Sequence, residues 1–148
     1  MTPNGRILRI FLRPDKKEPV QSVPSAHADL SSGLRGDHKK GGKRQITIMA
    51  REAWESACHQ IGKTLDPGLR RANVLVEGVD LERAIGCDLV LGESRITLLG
   101  ETEPCDRMDE AHPGLQNALQ PNLRGGVFGR VVQAGRMSTD DPAYLIRK

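Results

Sequence analysis

Cys105 lies in the stretch Gly100-Glu101-Thr102-Glu103-Pro104-Cys105-Asp106-Arg107-Met108-Asp109. As a thiolate, a cysteine attacks electrophiles and ligates soft metals. Arg107, two residues on, favours that form. Glu101, Glu103, Asp106 and Asp109 oppose it, so residue types alone leave the ionisation open. A lone cysteine is also often a small buried apolar side chain, and both readings stand at this point. The other residues suited to chemistry are mostly cationic: Lys43 and Arg44 in Gly42-Lys43-Arg44-Gln45, Arg70 and Arg71 in Arg70-Arg71-Ala72-Asn73, and Arg124 before Gly125-Gly126. Arginine grips phosphate with a planar fork and lysine as a point charge; Asn73 adds an amide. As bare sequence these charges equally suit a solvated face. His38, in Gly36-Asp37-His38, has no second histidine at ligand spacing, and no zinc site is read there.

The elements around these residues are short. Ile96-Thr97-Leu98-Leu99 reads as a strand, so Cys105 sits on the loop leaving it, with Pro104 limiting local freedom. A short helix over Leu115 to Leu119 follows. Upstream, Ile7 to Leu12 reads as a first strand ending at Arg13-Pro14, and Asp15 to Pro19 as a charged turn. Val20 to Val23 suits a second strand. Residues 24–43 read as a long polar loop, a kind usually functional or disordered. Gln45 to Met49 is a strand. Ala50 to Ile61 is a helix that turns Trp54, Cys58 and Ile61 to one face and stops at Gly62. Val74 to Glu77, Asp88 to Leu91, Arg95 to Leu99 and Val127 to Val132 complete the strands, with a hairpin at Gly92-Glu93-Ser94 and a helical turn between Val79 and Ile85. Cys58 and Cys87 read as structural.

The chain has 148 residues, one Trp, one Tyr and two Phe, so aliphatic side chains must fill the core. Its length suits a single domain over 1–148. Glycine and proline at scattered intervals suit short strands joined by turns. A net charge of +3 does not call for nucleic acid or membrane, and few aromatics are present to stack bases, which argues against a single-strand nucleic-acid role. Three cysteines without a CxxC argue against a disulfide framework. No apolar run approaches a membrane span or a signal peptide, so the expected location is the cytoplasm. At least seven short strands and two modest helices predict a mainly β fold, closed or nearly closed as a barrel.

Gly100-Glu101-Thr102-x-Pro104-Cys105-x-x-Met108-Asp109, then Gly114-Leu115, then Arg124-Gly125-Gly126-Val127, resembles the MOSC domain family, named for the C-terminal domain of molybdenum cofactor sulfurase. Gly36-Asp37-His38 followed by a basic glycine-rich turn and Arg44-Gln45-Ile46-Thr47-Ile48 resembles the segment that opens that domain. Arg70-Arg71-Ala72-Asn73 and the tail from Gly135 to Pro142 extend the likeness to about residues 5–143. Asp140 stands where the family usually has glycine. The resemblance is to the small single-domain bacterial type, and it implies a MOSC-like β-barrel with a few short helices. It implies binding of the molybdenum cofactor, with Cys105 as ligand to molybdenum and His38, Lys43, Arg44, Arg70, Arg71, Asn73, Arg107 and Arg124 around the phosphate and pterin. The activity it implies is reduction of N-hydroxylated compounds with electrons from a separate reductase. The alternative is a sulfur carrier in which Cys105 bears a persulfide. That role would need a cysteine desulfurase as partner, since no pyridoxal phosphate site is expected within this chain.

Overall fold

The structure is a computed structural model that describes residues 5–15, 17–38 and 41–147. Lys16 of the charged turn, and residues 39 and 40 of the long polar loop, lie outside the described residues. Strand β1 (Gly5–Leu12) is followed by β2 (Gln21–Val23), β3 (Ser25–Asp29) and β4 (Gly33–Leu34). Then come β5 (Ile46–Ala50), helix α1 (Arg51–Ile61) and β6 (Val74–Glu77). The hairpin strands β7 (Asp88–Leu91) and β8 (Ser94–Glu101) precede helices α2 (Arg107–Ala111) and α3 (Leu115–Leu119). β9 (Val127–Gln133), β10 (Gly135–Ser138) and β11 (Pro142–Ile146) complete the described chain.

Seven strands close into a barrel in the order β1-β6-β5-β9-β8-β7-β11 and back to β1. All the pairings are antiparallel except β5 with β6, whose crossover contains α1. β1 serves two neighbours along one edge: Gly5 and Arg6 pair with β11, while Ile10 to Leu12 pair with β2. Closure leaves few free edges, so the unpaired backbone groups of an open sheet are avoided. Ile7, Ile10, Ile46, Ile48, Val74, Val76, Leu89, Leu91, Ile96 and Leu98 fill the interior. A second cluster lies outside the wall, where Phe11, Met49 and Leu75 pack against Trp54, Ala57 and Cys58 of α1 and Leu115, Ala118 and Leu119 of α3. β5 and β6 are therefore buried on both faces, and their sequences run apolar rather than alternating. α1 ends at Gly62, whose φ of 69° is left-handed as the stop signal predicts.

The polar-loop expectation for residues 24–43 is corrected. β3 and β4 lie in it and join β10 in a second sheet, ordered β10-β3-β4. These strands bury little beyond Ala28 and Leu34, so they leave no apolar run in the sequence. α2 also went unread, because only Met108 of its five residues is buried. At the tail, Asp140 holds the left-handed turn with φ 73°. Its N–H donates to Ile7 O at 2.8 Å and its carboxylate accepts from Arg6 at 3.1 Å. Among the described residues no helix is long and apolar enough to cross a membrane.

Candidate functional site

The loop leaving β8 is fixed from beneath by Arg70. That side chain sits at the end of a single 3-10 turn, Pro67–Arg70, started by Asp66, whose carboxylate accepts from the Gly68 N–H at 2.8 Å. Arg70 Nε donates to Gly125 O at 3.0 Å and Nη2 to Thr102 O at 2.8 Å. Gly125 is required here: a Cβ would come within 2.7 Å of Thr102 O and 3.3 Å of Arg70 Nη2. The loop then passes buried Pro104 and lifts Cys105 into solvent, where Cys105 O accepts the Met108 N–H at 2.9 Å and starts α2. Cys58 and Cys87, by contrast, are both buried.

Cys105 borders a cleft of about 180 Å³ whose other walls include Arg13, His38, Arg44, Arg70, Arg71, Thr102 and Arg107. Five arginines thus face one small space. Four of them are held, each differently. Arg44 lies 5.4 Å from the centre of the Phe128 ring, and that ring packs on Gly100, which leaves room for it by lacking a side chain. Arg13 is clamped by Asp37, with Nη2 to Oδ2 at 2.8 Å and its backbone N–H to Oδ1 at 2.7 Å. Arg71 adopts a left-handed φ of 64°, and its guanidinium donates to Glu18 O and, at 2.9 Å, to Asp15 O. A non-glycine residue held there signals a constrained backbone of the kind found at functional sites.

Among the described residues, Arg70 has no carboxylate partner; its fixed neighbours are carbonyl oxygens. Burial pushes it down to about 10, the neighbouring Cys105 opposes that, and repulsion from Arg44 adds to it. Arg71 is also lowered, first by burial and then by Arg13 and Arg107, with Asp37 and Asp15 opposing. A buried cation without a counter-ion is costly unless an anion arrives. Thr102 Oγ1, in the same wall, is buried and has no hydrogen-bond partner among the described residues. Native structures rarely leave such groups unsatisfied without a reason.

Six of the residues singled out from the sequence therefore border one cleft: Cys105, His38, Arg44, Arg70, Arg71 and Arg107. Three do not. Lys43 is exposed and does not line it. Arg124 points away, donating to Gln60 Oε1 at 2.8 Å and Ala118 O at 3.0 Å. Asn73 is fully buried behind the wall, where its Oδ1 accepts from Thr47 N at 3.0 Å and Arg13 Nη2 at 3.2 Å while Nδ2 donates to Phe11 O at 3.2 Å. It stitches strands together rather than facing a ligand. Arg13, Asp37, Thr47 and Thr102 were missed. Asp37 stood in plain view beside His38, but nothing in a single sequence links it to an arginine 24 residues earlier.

A model of the MOSC domain matches residues 35–144. No curated protein matches the chain. Among solved structures it is similar to the YuaD protein from Bacillus subtilis, with a TM-score of 0.77 and 19% identity over 94% of this chain and 93% of that one. It is also similar to YiiM from Geobacillus stearothermophilus, with a TM-score of 0.77 and 17% identity over 97% of this chain and 75% of that one. For YiiM from Escherichia coli the TM-score is 0.72 at 17% identity, over 97% and 70%.

Proposed function

The chain belongs to the MOSC domain family, and from that premise we propose that the cleft binds the molybdenum cofactor with Cys105 as protein ligand to the metal. The observation that carries this reading is the buried, carboxylate-free Arg70 guanidinium beside an exposed thiol. The cofactor is a phosphorylated pterin dithiolene, and its charge and sulfur chemistry suit the two halves of the site. Its anionic groups match the wall formed by Arg13, Arg44, Arg70, Arg71 and Arg107. Thr102 Oγ1, orphaned in the same wall, has hydrogen-bonding capacity to offer. A thiolate suits a soft metal. The cleft is smaller than pockets that enclose drug-sized ligands, so part of such a group stays outside, on the side where Cys105 is exposed.

When bound, the cofactor supplies two-electron redox chemistry suited to reducing N-hydroxylated compounds, with electrons drawn from a separate reductase. The chain's own residues bind and orient: the arginines hold negative charge, and Arg70 fixes the Cys105 loop through Thr102 O. The test is metal and pterin content after purification from a cofactor-replete host, with Cys105→Ala alongside. Stoichiometric molybdenum in the wild type and its loss in the variant is the expected result. Equal occupancy in both would remove Cys105 as ligand. An empty wild type that acquires sulfane sulfur from a cysteine desulfurase would move the assignment to the persulfide carrier.

A further inference from the structure

The lining of the cleft is chemically one-sided. Guanidinium groups are donors only, and five of them line it. The acceptors nearby are mostly taken: Asp37 binds Arg13 through both oxygens, Thr102 O binds Arg70, Arg71 O binds Arg13, and Thr47 Oγ1 is shared with Asn73. Two side chains differ: Thr102 Oγ1, a rotatable hydroxyl without a partner among the described residues that can donate or accept, and His38, whose ring is held in one orientation. The His38 backbone N–H donates to Arg13 O at 2.8 Å, and its ring Nδ1 lies 2.7 Å from the same oxygen. A carbonyl oxygen only accepts, so Nδ1 carries the hydrogen. In the neutral ring this fixes the tautomer and leaves Nε2 as a bare lone pair. Nε2 has no partner among the described residues, and His38 is one of the residues that line the cleft.

We infer that His38 Nε2 is the specificity element of the cleft: the acceptor that reads a hydrogen-bond donor on the substrate, namely the hydroxyl of an N-hydroxy group. The inference rests on the cofactor reading for its substrate class but not for its geometry. The arginines hold anionic and carbonyl groups, which any acceptor-rich ligand offers. His38 adds the demand for a donor. An O-alkylated analogue, with the same shape near nitrogen but no O–H, leaves Nε2 unpaired and loses affinity.

Two measurements test this. Nitrogen-15 NMR of the imidazole reports the tautomer in protein with or without metal; a protonated Nδ1 and bare Nε2 are expected, and the reverse tautomer overturns the inference. Binding of hydroxyurea and its O-methyl ether to the molybdenum-loaded protein is then compared. The wild type should prefer hydroxyurea by about tenfold, the worth of one hydrogen bond. His38→Asn keeps a donor for Arg13 O but has no acceptor at the Nε2 position, and should bind both alike. His38→Gln, with an amide reaching that position, should recover part of the preference. A His38→Asn protein that still discriminates tenfold overturns the inference, as does a loaded wild type that binds neither compound or binds both equally. Failure of the cofactor reading is seen separately, as absence of molybdenum from the wild type.

Discussion

Of two hollows on this molecule, the groove under α1 and the cleft at Cys105, the larger is the less convincing as a ligand site. The groove under α1 encloses about 750 Å³ between Leu8, Trp54, Cys58, Leu65, Pro67 and Leu75. The cleft at Cys105 encloses about 180 Å³. In the groove the buried polar groups lie beside partners, although Arg51 Nε, in its ion pair with Glu77, makes no hydrogen bond among the described residues. Arg9 pairs with Asp66 at 2.8 Å, Arg51 with Glu55 at 2.8 Å and with Glu77 at 3.1 Å, and Trp54 Nε1 donates to Leu65 O at 2.9 Å. In the cleft, among the described residues, one guanidinium is buried without a carboxylate, one hydroxyl is buried without a partner, and one thiol stands exposed. Unfilled chemistry, more than empty volume, distinguishes a binding site from a packing defect.

The sharpest way to separate the two is to damage the groove alone. Trp54 is 4% exposed and packs in the cluster between the barrel and its helices. Trp54→Ala removes that packing and the bond to Leu65 O, and should cost about 3–5 kcal/mol in urea unfolding. Molybdenum content per folded protein should not change. If it fell with stability, the two regions would be coupled through α1 and the contrast would collapse.

Arg70→Met attacks the other side. It forfeits two hydrogen bonds to carbonyls, each worth about 1 kcal/mol, but relieves a desolvated charge, so stability should move by no more than about 2 kcal/mol. The binding effect should be larger in kind. Inorganic phosphate at a hundred times its Kd should stabilise the wild type by about 2.7 kcal/mol, and should leave Arg70→Met unmoved. A variant that still responds to phosphate would show that the unpaired guanidinium does not define the site.

The sequence carried the barrel further than it carried the site. Strands such as Ile46–Ala50 and Val74–Glu77 were legible because burial on both faces makes them continuously apolar. β3 was not, since Ser25-Ala26-His27-Ala28-Asp29 is held by pairing with β10 and not by its own hydrophobicity. The Cys105 loop was legible from its place after a strand. Which cations face it was not, because side-chain direction depends on partners distant in sequence. Asn73 is turned inward by Thr47 and Phe11, and Arg13 is turned toward the cleft by Asp37. Asp140 illustrates a local departure that the backbone absorbs. Aspartate tolerates the left-handed region better than most residues, and its contacts to β1 hold it there.

Arg124 gives the smallest and most discriminating test, because sequence and structure disagree about it. By motif it adjoins Gly125-Gly126 and counts as a cofactor ligand. By geometry it turns the other way, tying Gln60 of α1 to the carbonyl of Ala118 in α3. Both contacts are partly exposed and neither involves a charge partner, so Arg124→Ala should cost only about 0.5–1 kcal/mol. The phosphate response and the molybdenum content should match the wild type. Loss of either, with the fold intact, would mean that Arg124 swings into the cleft when an anion binds, and the motif would have outperformed the resting geometry. Retention of both would leave ligand binding to the arginines that line the cleft.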